Sequence, residues 1–198
     1  SAVISKKIPV IVIDPGHGGI DPGSTSGRIF EKHITLAAAK EMKKHLESFG
    51  RYKVFLTRTK DMFIRLRKRR TIARNYKADL FISIHADAIR NKNIRGLSIY
   101  TLSEKASDRE AAYLADQENK SDLIAGIDLS IESKEVANIL IDLAQRETMN
   151  ESSRLAYELV KYIRKFSRTL SNAHRFAGFA VLKSPDMPSI LIEMGFLS

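Results

Sequence analysis

Four side chains in this 198-residue sequence have the types and positions needed for hydrolysis at a metal ion. His17 follows an apolar run within Asp14-Pro15-Gly16-His17-Gly18-Gly19, His85 ends the run Phe81-Ile82-Ser83-Ile84, and Glu31 opens a stretch of helical periodicity. Two imidazoles and one carboxylate leave one position of a tetrahedral zinc ion open, as catalytic sites do; structural sites are closed by four protein ligands. Water in that position would have its pKa lowered to about 7. Glu193 stands at the end of Ile190-Leu191-Ile192, where it could take the water's proton and return it to a leaving amine.

Each residue also has a plainer reading. A lone histidine after a strand is often a hydrogen-bonded turn residue, Glu31 could simply favour the positive end of its helix, and Glu193 could be an ion-pair partner. Gly16 to Gly19 lacks both the Lys-Ser/Thr ending of a P-loop and the spacing of a dinucleotide fingerprint. His33 and His45 read as surface or boundary positions on a helix, while His174 lies in a predicted loop, Asn172-Ala173-His174-Arg175. A phosphoesterase would call for paired metals bridged by several carboxylates, and only Asp14, Asp21 and Asp87 accompany the histidines. A metal-free module binding an anionic polymer through charge is the other alternative, and zinc content separates it.

The elements that must position these groups follow from periodicity. Ile8 to Ile13 reads as a buried strand closed by Asp14-Pro15-Gly16, and a glycine-rich loop continues through Gly27. Ile34, Ala38, Met42, Leu46 and Phe49 recur at helical spacing from Glu31, with Gly50 where a C-cap glycine belongs. Lys53 to Thr57 reads as a strand, Phe63 to Tyr76 as a helix, and Asp79 to Ile84 as a strand buried on both faces. Further strands are expected at Gly96 to Thr101, Gly178 to Leu182 and Ser189 to Glu193. This alternation predicts a single α/β domain over 1–198, a twisted, mostly parallel sheet of about six strands flanked by helices. In such a sheet both histidines emerge at the carboxyl edge, where open α/β sheets place ligands. A helical insert spans about 103–177, in which Val136, Leu140, Leu143, Leu155, Leu159, Tyr162, Ile163 and Phe166 are predicted to face the core. Asn150 either caps a break there or lies within one continuous helix.

Composition narrows the chemistry further. The absence of cysteine excludes thiolate metal sites, disulfides and cysteine nucleophiles. A net charge of +10 and a pI near 9.8 favour an anionic partner. The densest basic stretch, Arg65 to Arg70, is expected to be a solvated helix face. No run approaches the roughly 20 apolar residues of a membrane span, and Ser1 to Lys7 lack a signal-peptide core. The expectation is a soluble piece from which any export signal has been removed.

Together, Ile13-Asp14-Pro15-Gly16-His17-Gly18-Gly19, the Glu31-Lys32 pair, Ser83-Ile84-His85-Ala86-Asp87-Ala88 and Pro188-Ser189-Ile190-Leu191-Ile192-Glu193-Met194-Gly195-Phe196 resemble the zinc-dependent N-acetylmuramoyl-L-alanine amidases of the Gram-negative division type. The resemblance implies Zn2+ held by His17, Glu31 and His85, with Glu193 as the catalytic glutamate. It implies cleavage of the amide between N-acetylmuramic acid and L-alanine in periplasmic peptidoglycan during daughter-cell separation. A monomer without a nucleic-acid partner is expected, working with an activator protein at the division site. Ala111 to Ile124 resembles a segment that, in division amidases, is associated with occlusion of the active site until an activator moves it. Glu118 is the residue expected to plug the zinc, and Glu110 its less favoured substitute. The chain stops at Ser198, where family members usually continue into another helix.

Overall fold

Short apolar runs become the central strands of one sheet because both of their faces are covered. The computed structural model describes residues 7–88, 95–124 and 139–197, with the backbone alone for 139–142. In chain order the elements are β1 (Val10–Pro15), β2 (Thr25–Ser26), β3 (Ile29–Phe30), α1 (Glu31–Ser48), β4 (Lys53–Leu56), α2 (Leu66–Asn75), β5 (Leu80–His85), β6 (Leu97–Leu102), α3 (Arg109–Asn119), α4 (Ser121–Ile124), α5 (Ile139–Ile163), β7 (Thr169–Ala177) and β8 (Ser189–Glu193). β2 and β3 pair with each other, and the remaining strands form a six-stranded sheet in the order β4-β1-β5-β8-β6-β7. β4, β1, β5 and β8 run parallel, β6 is antiparallel to β8, and β7 is parallel to β6. The fold is therefore the expected α/β arrangement with a mostly parallel sheet.

Successive strand residues point to opposite faces, so each central strand serves two cores. Ile11, Ile13, Ile82, Ile84, Ile190 and Ile192 pack with Ala39 of α1 and with Ala156 and Val160 of α5. On the other face Val12, Phe81 and Leu191 pack with Ala73 of α2 and with Ala111, Leu114 and Ala115 of α3. Each of the larger side chains among these, the valines, isoleucines, leucines and Phe81, contributes roughly 1.5–3 kcal/mol when fully buried. A one-residue slip would exchange the two faces, so the register that sets His85 beside Glu193 is strongly specified.

Several expectations are corrected. The strand predicted at Gly178 to Leu182 is a 3-10 turn over Ala180–Leu182; its apolar run is buried, and burial alone does not distinguish a strand from a turn. The sixth sheet strand is β7, whose inward residues Ala173, Arg175 and Ala177 alternate with more exposed ones. The helical part of the insert therefore ends before β7, and His174 lies on a strand, not in a loop. α5 runs unbroken through Asn150, so no cap interrupts it. Its inward face carries Leu155, Leu159 and Ile163, but Leu143, Tyr162 and Phe166 are largely exposed, Phe166 having already left the helix. Val136 lies outside the described residues, as does the side chain of Leu140. On α1 the buried face is Glu31, Thr35 and Ala39, while Ile34 and Phe49 are exposed. Polar Glu31 and Thr35 turn inward because that end of the helix meets the loop after β1. Among the described residues no helix is long and apolar enough to cross a membrane.

Candidate metal centre

Three elements deliver His17, Glu31 and His85 to one point at the sheet's edge. β1 and β5 are adjacent and parallel, so the residues leaving their carboxyl ends emerge side by side. Gly16 N–H donates to Ile84 O at 3.0 Å, carrying the pairing past β1. A Cβ on Gly16 would stand 2.4–2.8 Å from the His85 ring, so only glycine permits this approach. His17 then turns at φ +59, a left-handed conformation costing a non-glycine residue roughly 1–3 kcal/mol. Glu31 begins α1, whose first two N–H groups donate to Ser24 O and Pro22 O. Loop carbonyls thus cap the helix, and the Glu31 side chain is left to face the histidines.

One donor atom from each of His17, Glu31 and His85 lies within 4.8 Å of the others, and all three residues are buried. Glu31 Oε1 is 3.1 Å from His85 Nδ1, and Oε2 is 3.2 Å from His17 Nε2. Ala86 N–H and Ser24 N–H donate to Oε1 and Oε2 at 2.9 and 2.8 Å, fixing the carboxylate's plane. Behind His17, Asp21 Oδ2 lies 2.8 Å from Nδ1 and itself receives support from Gly23 N–H at Oδ1. A carboxylate on the far nitrogen is the usual partner of a metal-bound imidazole, because it sets the tautomer and turns Nε2 outward as a lone-pair donor. His17 Nε2 is buried and makes no hydrogen bond.

Glu193 closes β8 directly beside His85 and is fully buried. Asp87 N–H donates to its Oε2 at 3.1 Å, and Oε1 has no hydrogen bond. Burial, then the charges of Glu31, Glu118 and Asp87, push its carboxyl well above the ordinary range. Glu118, on α3, places Oε2 3.2 Å from His85 Nδ1 and 3.5 Å from His17 Nε2. Burial also raises its pKa, against the opposing pull of the two histidines. Burial disfavours charging of His17, but Glu118, Glu31 and Asp21 outweigh it and raise the imidazole well above its usual value. The buried carboxylates of Glu31, Glu118 and Glu193 around two imidazoles, with His17 Nε2 making no hydrogen bond, are a donor set that fits a divalent cation.

The cavity beside the cluster, bounded by Leu66, Glu118, Asn119 and Val181 among others, is about 10 Å³, room for about one water. α3 keeps it small. Asn119 clasps the far wall, donating to Gly178 O at 2.9 Å and accepting from Ala180 N–H at 2.7 Å. At the helix's other end Arg175 holds Asp108 and, at 3.1 Å, Glu110. Glu110 is therefore turned away from the histidines and is no substitute for Glu118. His33 and His45 are exposed, and His174 bonds Thr101 Oγ1 on the sheet's far flank, so none of the three joins the cluster.

Sequence reasoning missed two arginines buried against the loop that carries His17. Arg69 sits inside the basic stretch expected to face solvent; Arg65, Arg67 and Lys68 are exposed as expected, but Arg69 is 2% exposed. The signal was available: Arg69 is three residues after Leu66 and four before Ala73, on the helix's inward stripe. Arg58, just past β4, is equally buried and carried no comparable signal.

A family model described as N-acetylmuramoyl-L-alanine amidase matches residues 11–198. The amidase AmiC of Neisseria meningitidis serogroup B is 41% identical over 192 residues, covering 96% of this chain and 46% of that protein. AmiA of Salmonella typhimurium is 39% identical over 196 residues, covering 98% of this chain and 67% of that protein. The chain thus spans about half the length of AmiC and about two thirds of AmiA. Among solved structures, the amidase AmiC2 of Nostoc punctiforme superimposes with a TM-score of 0.59 at 25% identity, over 98% of this chain and 83% of that one. An amidase from Clostridium difficile 630 gives 0.58 at 27% identity, over 97% and 82%. With its sheet, its His-Glu-His cluster and the match over 11–198, this chain belongs to the N-acetylmuramoyl-L-alanine amidase family.

Proposed function

We propose that this chain is a zinc-dependent peptidoglycan amidase that cleaves the bond between N-acetylmuramic acid and L-alanine and is held inactive by Glu118. The observation that carries the reading is the convergence of His17, Glu31 and His85, from three separate elements, beside Glu193. Bound zinc supplies Lewis acidity, polarising the scissile carbonyl and making water nucleophilic near neutral pH. Asp21 keeps the His17 ring oriented, and Ser24 and Ala86 N–H groups hold Glu31 square to both imidazoles. Glu193, with Oε2 anchored on Asp87 N–H and Oε1 unbonded, accepts a proton from the attacking water and delivers it to the departing L-alanine nitrogen. An amide needs that second transfer because its amine leaves poorly unless protonated.

Glu118 meets both histidine nitrogens on the side where water and substrate must enter, and α3 leaves about 10 Å³ beside them. The insert is thus regulatory in this reading, and an activator protein displacing α3 would open the site. The relatives' amidase names and the net charge of +10 support an acidic wall polymer as substrate, and in this reading the protein works in the periplasm with a role in cell separation. The test is release of L-alanine-terminated peptides from purified sacculi, with and without chelator, alongside zinc content. Activity that survives His17→Ala, Glu193→Ala or complete metal removal would refute the assignment.

A further inference from the structure

The loop that carries His17 has a feature that the proposed chemistry leaves unused. Its three successive carbonyls, of Pro15, Gly16 and His17, leave the sheet and would be stranded in the interior, yet all three are satisfied by guanidinium groups. Arg58 donates from Nε to Pro15 O at 3.0 Å and from Nη2 to Gly16 O and Lys32 O, each at 2.8 Å. Arg69 donates from Nε to Ile64 O at 2.8 Å, from Nη1 to Pro15 O at 2.8 Å and from Nη2 to His17 O at 2.9 Å. Pro15 O therefore accepts from both. Thr35 Oγ1 adds a third arm, donating to Gly16 O at 2.9 Å.

Two buried cations this close repel one another, and among the described residues the one carboxylate directly paired with either is Asp14, 3.0 Å from Arg69 and fully buried. Core stability alone does not call for such a pair, since apolar residues of similar volume generally serve as well. What guanidinium offers is a planar fork of five donors, able to fix several carbonyls in one orientation, which an ammonium on a flexible stem does not. The carbonyls fixed here are those preceding and including His17, the residue held at φ +59 with a buried, unbonded Nε2. Arg58 reaches the loop from the end of β4 and, through Lys32 O, ties it to the first turn of α1, where Glu31 sits. Arg69 reaches it from α2 on the opposite side.

We infer that Arg58 and Arg69 are positioning residues for the metal centre: together they lock the backbone of residues 15–17 so that His17 presents Nε2 to the ion. Resting on the zinc reading above, this adds a layer behind Asp21 that acts on the ligand's main chain instead of its ring.

The experiment measures zinc affinity by competition with a chromophoric chelator in wild type, Arg58→Lys, Arg69→Lys and Thr35→Val. Arg74→Lys, altering an exposed ion pair with Asp186, is the control. Melting temperature of the metal-free protein and the visible spectrum of the cobalt-substituted protein are recorded for each. Zinc affinity should fall about 10- to 100-fold in both lysine variants, the range for disturbed outer-shell partners. Thr35→Val should show a smaller fall in the same direction, the control none, and the cobalt bands should shift in the affected variants. If the lysine variants do not fold, Thr35→Val decides alone. Wild type that takes up no zinc would overturn the metal reading itself. Wild type that binds zinc, with variants that lose melting temperature but keep full affinity and an unchanged cobalt spectrum, would leave that reading standing and overturn this one.

Discussion

Replacing Glu118 separates a plug from a packing residue. Its Oε2 stands 3.2 Å from His85 Nδ1 and 3.5 Å from His17 Nε2, and the residue is 8% exposed. A buried contact between ionisable groups contributes on the order of 1.5–3 kcal/mol, the range of a charge-assisted hydrogen bond, to the state that contains it. At 1.36 kcal/mol per factor of ten, removing that contact raises the open fraction about 10- to 150-fold. Leu114 and the Asn119 clasp still hold α3, so the rise in Glu118→Ala should fall toward the lower end on intact sacculi. A soluble muramyl peptide, needing a smaller opening, should gain more. Glu118→Gln keeps the volume and removes the charge, so it should give a lesser gain of the same sign. The assay is dye release from labelled sacculi without activator, with bound zinc measured on the same samples. Loss of a donor beside the ion should leave zinc affinity equal or lower while turnover rises, a combination that a general loosening of the fold does not produce. Unchanged turnover in Glu118→Ala protein carrying a full complement of zinc would refute the occlusion.

Gly16→Ala forces a Cβ to within 2.4–2.8 Å of the His85 ring, so zinc content and activity should collapse while circular dichroism stays near wild type; retained zinc binding would count against the crowding. Arg175 holds the Asp108 carboxyl down at about 2, so this pair stabilises the fold above the unfolded carboxylate's pKa and ceases to do so as pH falls through about 2. Asp108→Asn keeps the helix cap to Ala111 N–H but removes the charge, so its urea midpoint should trail wild type at pH 7 and converge with it near pH 2. Parallel curves at every pH would show that the charge contributes nothing. Removing zinc should lower the melting temperature, because a ligand present at 1,000 times its Kd stabilises by about 4 kcal/mol; a transition indifferent to chelator would argue against a metal at this cluster.

The strand-end residues were legible in the sequence because apolar runs announce buried parallel strands and topology then fixes where their carboxyl ends meet. His17, His85 and Glu193 are such residues, and Glu31 marks the adjoining helix start. β7 was hidden because it is an edge strand of mixed composition, with Asn172, His174 and Arg175 breaking any apolar signature, while the neighbouring run Ala180–Leu182 mimics a strand by being buried. Arg69 was obscured by the charges around it: composition marks a basic stretch as solvated, and one position in that stretch faces inward. Partners that depend on tertiary approach, such as Asn119 with Gly178 or Arg58 with Pro15, leave no local trace.

β8 lies between β5 and β6, yet it follows every other strand of the sheet in the sequence. Until residues 189–193 are available, β5 and β6 each present an unpaired edge, and the two groups of strands have nothing to join them. Closure of the sheet waits for a contact of long sequence separation, which makes it a slow and late event in folding. The same insertion brings Glu193 beside His85, so a chain already holding His17, Glu31 and His85 gains the fourth group of the cluster only when the sheet closes. Under the proposed mechanism, hydrolytic competence would then be tied to completion of the sheet.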